Sequence, residues 1–292
     1  MHIRIENLTF RYTSLGARPE PALRDVNLDI RAGEFLALVG LSGSGKTTLM
    51  QHLTGLLKPD SGRVLVDGQD LAHKQTSLTA VRRRIGLVFQ FPESQFFEDT
   101  VFDDVAFGPR NLGLPERDVR RRVQEALQSV ALNFEEYKTR SPFQLSDGEK
   151  RRAAIAGVLA LEPECLALDE PTAGLDLNSM HAVTSVLQAC HARGATIVLI
   201  SHNLDWVASV VKRVVILKQG RVHFDGTKES LFANPTVLQQ AGLSLPRTRL
   251  LVEFLKQRGW LNTDRLYTLD EIKQALREQQ SSTAPQSRNP VI

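Results

Sequence analysis

Residues Gly40–Thr48 read GLSGSGKTT. The apolar run Phe35–Val39 precedes them, and a helical pattern over Lys46–Leu57, closed by Pro59, follows. Gly40-x4-Gly45-Lys46-Thr47 is the complete pattern of a phosphate-binding loop. Such a loop lets backbone amides approach phosphate oxygens, and the helix N-terminus behind it adds aligned donors. Gly40, Ser42, Gly43, Ser44, Gly45 and Thr48 are the expected cradle for ATP. Lys46 is expected to neutralise phosphate charge and the Thr47 hydroxyl to ligate Mg²⁺. A flexible glycine turn is the plainer reading, and the strand before and helix after the loop argue against it.

A second acidic feature fits the same chemistry. Leu166-Ala167-Leu168 is an apolar strand candidate that ends in Asp169-Glu170. A strand end beside a phosphate loop is where a Mg²⁺-organising aspartate belongs, which suits Asp169, directly or through water. Glu170 is then placed to polarise the attacking water as general base. The surrounding chain alternates strand and helix: Cys165–Leu168, Ser179–Arg193, Thr196–Ile200, Leu204–Val210, Arg213–Leu217. This predicts an α/β fold with a parallel sheet flanked by helices. Earlier strands are expected at Ile3–Tyr12, Ala22–Ile30, Gly62–Val66 and Ile85–Phe89, with a loop at Ser14–Pro21.

Further features resemble the ATP-binding cassette ATPases. Gln90 follows a strand, like that family's glutamine loop. Leu145-Ser146-Asp147-Gly148-Glu149 resembles its signature motif, Pro171–Asp176 (PTAGLD) the segment ending in its D-loop aspartate, and Ser201-His202 its switch histidine. Tyr12 sits where the family's adenine-stacking aromatic lies, the plainer reading being a strand aromatic in the core. The resemblance covers about residues 1–230 and implies a P-loop NTPase of the ABC-ATPase fold: a mixed core sheet, an antiparallel β subdomain and an inserted helical lobe. It implies catalytic roles for Glu170, His202 and Gln90, with Thr47, Gln90 and Asp169 as Mg²⁺ ligands. It also implies that Ser146 and Gly148 grip the nucleotide of an opposite subunit in a head-to-tail dimer. Where the family usually carries Gly-Gly-Gln, this chain has Asp147-Gly148-Glu149. Two carboxylates there either weaken that grip and bias the choice of partner, or point away and change nothing.

The stretch Phe91–Phe97 and Thr100–Pro109 resembles the ATPase subunits of energy-coupling factor transporters, which import vitamins and transition-metal ions. This implies a second cassette as partner, in a homo- or heterodimer, a transmembrane scaffold docking near Gln90–Phe107, and a separate membrane solute-binding subunit. Phe96 and Phe97 are the groove candidates. The implied location is peripheral, on the cytoplasmic face of the cell membrane. A conventional importer ATPase is the alternative. A soluble cassette of DNA repair or translation fits less well, because no sustained heptads separate Thr48 from Leu145 and only one cassette is found.

The expected division is a nucleotide-binding domain over residues 1–234 with a helical lobe over about 95–160, a helical accessory and dimerisation domain over 235–280, and a disordered tail over 281–292. Leu250, Leu251, Phe254 and Leu255 form an apolar stripe, read as core of that appendage ahead of a partner face. The net charge of +3, from 36 basic and 33 acidic residues, is too small to imply nucleic acid. The basic clusters Arg82–Arg84, Arg117–Arg122 and Lys150–Arg152 read as solvated faces. Two cysteines without a CxxC pair argue against a disulfide scaffold or a cysteine-rich metal site. No apolar run approaches the length of a membrane span, and the first residues alternate like a strand rather than a signal peptide.

Overall fold

The computed structural model describes residues 1–12, 20–91 and 95–283, with side chains through residue 279. Most of the loop expected at Ser14–Pro21, the segment Pro92–Ser94 and the tail from residue 284 lie outside the described residues.

Two sheets organise the chain. Strands β1 (Ile3–Phe10), β2 (Leu23–Ile30), β4 (Ser61–Val66) and β5 (Gln69–Asp70) form an antiparallel sheet in the order β2-β1-β4-β5. Strands β3 (Phe35–Val39), β6 (Ile85–Val88), β7 (Cys165–Asp169), β8 (Thr196–Ile200), β9 (Arg213–Lys218) and β10 (Arg221–Thr227) form the central sheet in the order β10-β9-β3-β8-β7-β6. All its neighbours are parallel except β10, which pairs antiparallel with β9. β10 has no counterpart among the sequence expectations. It is a half-exposed edge strand, RVHFDGT, with little apolar alternation to betray it.

The central strands read as continuous apolar runs because both faces are covered. In β3, Phe35, Ala37 and Val39 enter the core shared with the helices, while Leu36 and Leu38 enter the core shared with the antiparallel sheet. Cys165 and Ala167 against Leu166 and Leu168 divide in the same way. Both cysteines are free and buried, and burial pushes the Cys165 thiol up to about 12.

Helix α1 (Lys46–Leu53) ends four residues before the expected Leu57. Gly55 N–H donates to His52 O and Leu56 N–H to Gln51 O, with Gly55 at φ 62°. This paired reversal satisfies the last carbonyls of the helix and turns the chain before Pro59. Helix α2 (Leu78–Arg84), capped by the Ser77 hydroxyl, was not expected, since its surface arginines hide the one buried residue, Val81.

Between β6 and β7 lies the helical lobe: α3 (Val101–Asn111), α4 (Glu116–Ser129), the short α5 (Phe134–Tyr137) and α6 (Asp147–Leu159). α7 (Leu177–Ala192) and α8 (Leu204–Val210) flank β8. After β10 come α9 (Lys228–Phe232), α10 (Pro235–Gln240), α11 (Arg247–Gln257) and α12 (Leu269–Thr283). α11 and α12 carry a small core of their own around Val252, Leu255, Leu261 and Ile272. The expected apolar stripe does not fill it. Only Leu255 is buried there, whereas Leu250, Leu251 and Phe254 are exposed, because Val252 and Leu255 occupy the inward face of α11.

The basic clusters are largely paired. Arg84 bridges Asp67 and Glu164, and Arg122 meets Glu162. Among the described residues, no helix is long and apolar enough to cross a membrane.

Candidate nucleotide site

The parallel strands β3, β7 and β8 end at one edge of the sheet, and their following loops converge on a cleft of about 420 Å³. Tyr12, Gly40, Ser42, Gly43, Gly45, Lys46, Thr47, Thr48, Gln90, Asp169, Glu170 and His202 line it, together with Ala22 and Ile200. Residues drawn from widely separated stretches of the chain are therefore neighbours. Ser44 is buried beneath the loop instead, its hydroxyl 3.4 Å from Lys46 Nζ.

The loop geometry follows from its glycines and its lysine. Gly45 sits at φ 104°, and a Cβ there would lie 2.6 Å from Ala22 O, so no side chain fits. Lys46 Nζ donates to Gly40 O at 2.8 Å and Leu41 O at 2.9 Å, which folds the loop around the ammonium. Burial lowers the Lys46 pKa, and Glu170 and Asp169 oppose that shift. Thr47 Oγ1 donates to Asp169 Oδ2 at 2.6 Å. Burial raises the Asp169 pKa, opposed by that hydrogen bond and by Lys46.

Glu170 is buried at the end of β7 with φ 50°, a left-handed backbone that a residue with a Cβ adopts only under constraint. Three contacts hold it. Its N–H donates to Ile200 O at 3.0 Å, its carbonyl accepts from the buried Arg151 guanidinium at 3.1 Å, and its carboxylate Oε1 lies 2.9 Å from His202 Nδ1. The sequence singled out Lys150–Arg152 only as a charge cluster, and nothing in it marked Arg151 as the residue that turns inward. Tyr12 is half exposed, its hydroxyl 3.0 Å from Thr48 Oγ1 and its ring edge-on to Phe10.

Ser146, Gly148 and Asp176 lie outside the cleft lining. Ser146 caps α6 in a reciprocal box: Glu149 N–H donates to Ser146 Oγ, and Ser146 N–H donates to Glu149 Oε2 at 2.8 Å. The Ser146 hydroxyl also donates to Glu149 Oε2, at 2.7 Å, and the Tyr137 hydroxyl to Oε1, at 2.6 Å. These bonds, Tyr137's first, pull the Glu149 pKa down to about 2. The two signature carboxylates are thus unlike each other: Glu149 is locked into the cap, while the Asp147 side chain is 90% exposed. Asp176 caps α7, accepting from Ser179 N–H at 2.7 Å. A Cβ on Gly148 would lie 2.5 Å from Ser179 Oγ, so the starts of α6 and α7 touch.

The donors fit a nucleoside triphosphate with Mg²⁺. The Thr47 hydroxyl and the Asp169 carboxylate are adjacent hard oxygens, and Mg²⁺ takes its remaining ligands from water and substrate phosphates rather than from a protein cage. Among the described residues no cluster of three His, Cys, Asp or Glu side chains competes for a metal.

A P-loop at the head of a mixed sheet, an antiparallel β layer and an inserted helical lobe bearing a capped Ser146 together define an ATP-binding cassette. The ABC transporter family profile matches residues 23–173. The energy-coupling factor transporter ATP-binding protein EcfA2 of Clostridium tetani is 43% identical over 277 residues, covering 94% of this chain and 96% of that protein. Its Symbiobacterium thermophilum counterpart is 49% identical over 256 residues, 88% of each. Among solved structures, cbiO1 of Clostridium perfringens, described as part of the ABC transporter complex cbiONQ, superposes with TM-score 0.72 at 38% identity over 86% of this chain and 98% of that one. A dimeric cassette, MJ0796 in a post-hydrolysis state with ADP and Pi, gives TM-score 0.69 at 30% identity over 77% of this chain and 98% of that one. The chain belongs to the energy-coupling factor transporter ATP-binding proteins, and ATP hydrolysis is its reaction.

Proposed function

We propose that this chain is the motor subunit of an energy-coupling factor transporter. It hydrolyses ATP at the cytoplasmic face of the membrane to power import of a vitamin or transition-metal ion. The single observation that carries the reading is the joining of Lys46, Thr47, Asp169, Glu170 and His202 in one cleft, with Glu170 and His202 in contact at 2.9 Å.

The chemistry is mainly positioning and charge stabilisation, as for phosphoryl transfer generally. The loop amides and Lys46 hold the β- and γ-phosphates, and the exposed Tyr12 ring offers a face to adenine. Thr47 and Asp169 would hold Mg²⁺, with Gln90 from the adjoining loop. Bound there, Mg²⁺ supplies positive charge against the phosphate oxygens. Glu170 takes a proton from the attacking water, and His202 orients both the carboxylate and the γ-phosphate. Ser146, Gly148 and the N-terminus of α6 meet the nucleotide of a second cassette, and Asp176 belongs to the same facing edge. Two such composite sites close on ATP and open after hydrolysis.

For the membrane side, Phe91, Phe97 and Phe107 are exposed, and Phe97 stacks edge-on to Phe107 at 4.8 Å. They form an apolar edge beside Gln90 suited to an amphipathic helix of a transmembrane scaffold. Phe96, expected to share that role, is buried in the main core and does not contribute. Residues 235–280 serve as the accessory domain, whose exposed Leu250, Phe254 and Trp260 offer a surface for pairing with the second cassette.

The test is purification from membranes through a tag on this chain. ATPase activity that copurifies with a second cassette and small hydrophobic membrane proteins supports the reading. Recovery of only ribosomes or nucleic acid overturns it.

A further inference from the structure

The signature serine is not free to use its hydroxyl as it stands. A serine has one hydroxyl proton, and Ser146 donates it to Glu149 Oε2 at 2.7 Å. To donate to a phosphate oxygen, Ser146 has to withdraw that proton from a carboxylate, which is a strong acceptor. The other oxygen of the same carboxylate accepts from the Tyr137 hydroxyl at 2.6 Å. Tyr137 is itself well fixed. The Arg140 guanidinium lies 4.6 Å over its ring, and the residues after it are tied to the start of α3 by Val101 N–H to Arg140 O and Phe102 N–H to Lys138 O.

We propose that Tyr137 is a positioning residue for the signature serine. Its hydroxyl holds the Glu149 carboxylate in the cap and draws negative charge away from Oε2, so that the Ser146 hydroxyl can turn from Glu149 to the γ-phosphate of the facing cassette. The inference rests on the composite-site reading above. A carboxylate that shares its charge among three donors grips each less tightly than one with two, and coupled hydrogen bonds of this kind depend on one another. Without the Tyr137 hydroxyl, Glu149 keeps Ser146 more firmly, and its freed oxygen adds an unshared charge near the incoming phosphate.

Tyr137→Phe removes only that hydroxyl from a half-buried ring. In the assembled complex purified through this chain, we expect it to lower kcat about three- to tenfold, the scale of one ordinary net hydrogen bond, with KM for ATP unchanged and a small drop in melting temperature from the lost bond to Glu149. Glu149→Gln keeps a side-chain acceptor for the cap but removes the charge, so Tyr137→Phe/Glu149→Gln should recover the turnover that Tyr137→Phe loses. Ser146→Ala separates the two ideas. If Ser146→Ala lowers kcat and Tyr137→Phe does not, the role of Tyr137 is overturned and the composite site stands. A Tyr137→Phe loss of the same size in the Glu149→Gln background also overturns it, since a merely structural role would give that result. An unchanged kcat in Ser146→Ala overturns the composite site, and this inference with it.

Discussion

Glu170 holds a left-handed backbone at the end of a buried strand, with partners on its amide, its carbonyl and its carboxylate. That cost is met by neighbours from β8, the loop after it and α6, as expected where a side chain must be aimed. Glu170→Gln keeps the shape and removes the carboxylate that we propose as the base. We expect nucleotide affinity unchanged and kcat lowered by about 10²- to 10⁴-fold, read by nucleotide titration and phosphate release. Lys46→Ala should act on the other quantity, raising the Kd for ATP by about tenfold or more through loss of a buried charge beside phosphate. Glu149 permits a pH test. Its folded pKa, about 2, lies below the ordinary 4.5. A depressed carboxylate stabilises the fold fully above its unfolded pKa and loses that contribution as pH falls through the folded value. The Glu149 contribution should therefore persist to about pH 4.5 and fade toward pH 2, and Glu149→Gln should flatten that part of the denaturation profile.

Elements explain why these residues meet. β3, β7 and β8 are neighbours in one parallel sheet, so the phosphate loop, Asp169-Glu170 and Ser201-His202 emerge at the same edge. The strands were readable because each is apolar on both faces and bounded by turns. β10 and α2 were not, because their identity depends on what they lie against rather than on a strong pattern of their own. Close approach between elements also sets limits. Gly148→Ala would place a methyl 2.5 Å from Ser179 Oγ and 3.3 Å from its Cβ, so the Ser179 hydroxyl has to rotate and give up its bond to Asp176. We expect a loss of about 1–3 kcal/mol by denaturant unfolding, the range for overpacking, accompanied by lower turnover.

Across the molecule, the chain after β10 folds back onto the edge that carries His202 rather than trailing from it. Asp205, on the helix that follows His202, accepts from Thr248 N–H at 2.9 Å and from its hydroxyl at 3.0 Å, capping α11 from another element. Lys228 and Arg249 both lie over the Tyr267 ring, at 4.6 and 5.7 Å, and join the accessory helices to the cassette. Asp205→Ala should weaken this attachment by about 1 kcal/mol, the value of a helix cap, and be visible as faster amide exchange over Arg247–Gln257. The phosphate loop, the acidic strand end and the strand–helix alternation are legible in the chain alone, because each is a local pattern with local physics. Packing across the chain decides that Arg151 turns inward to Glu170, that the Tyr137 hydroxyl adds to the local cap on Glu149 while Asp147 stays exposed, and that Phe96 is core while Phe97 is surface. Neighbouring residues of like chemistry part ways there because burial is set by whatever packs on them, and those partners, Glu170 for Arg151 and Tyr137 for Glu149, come from other elements.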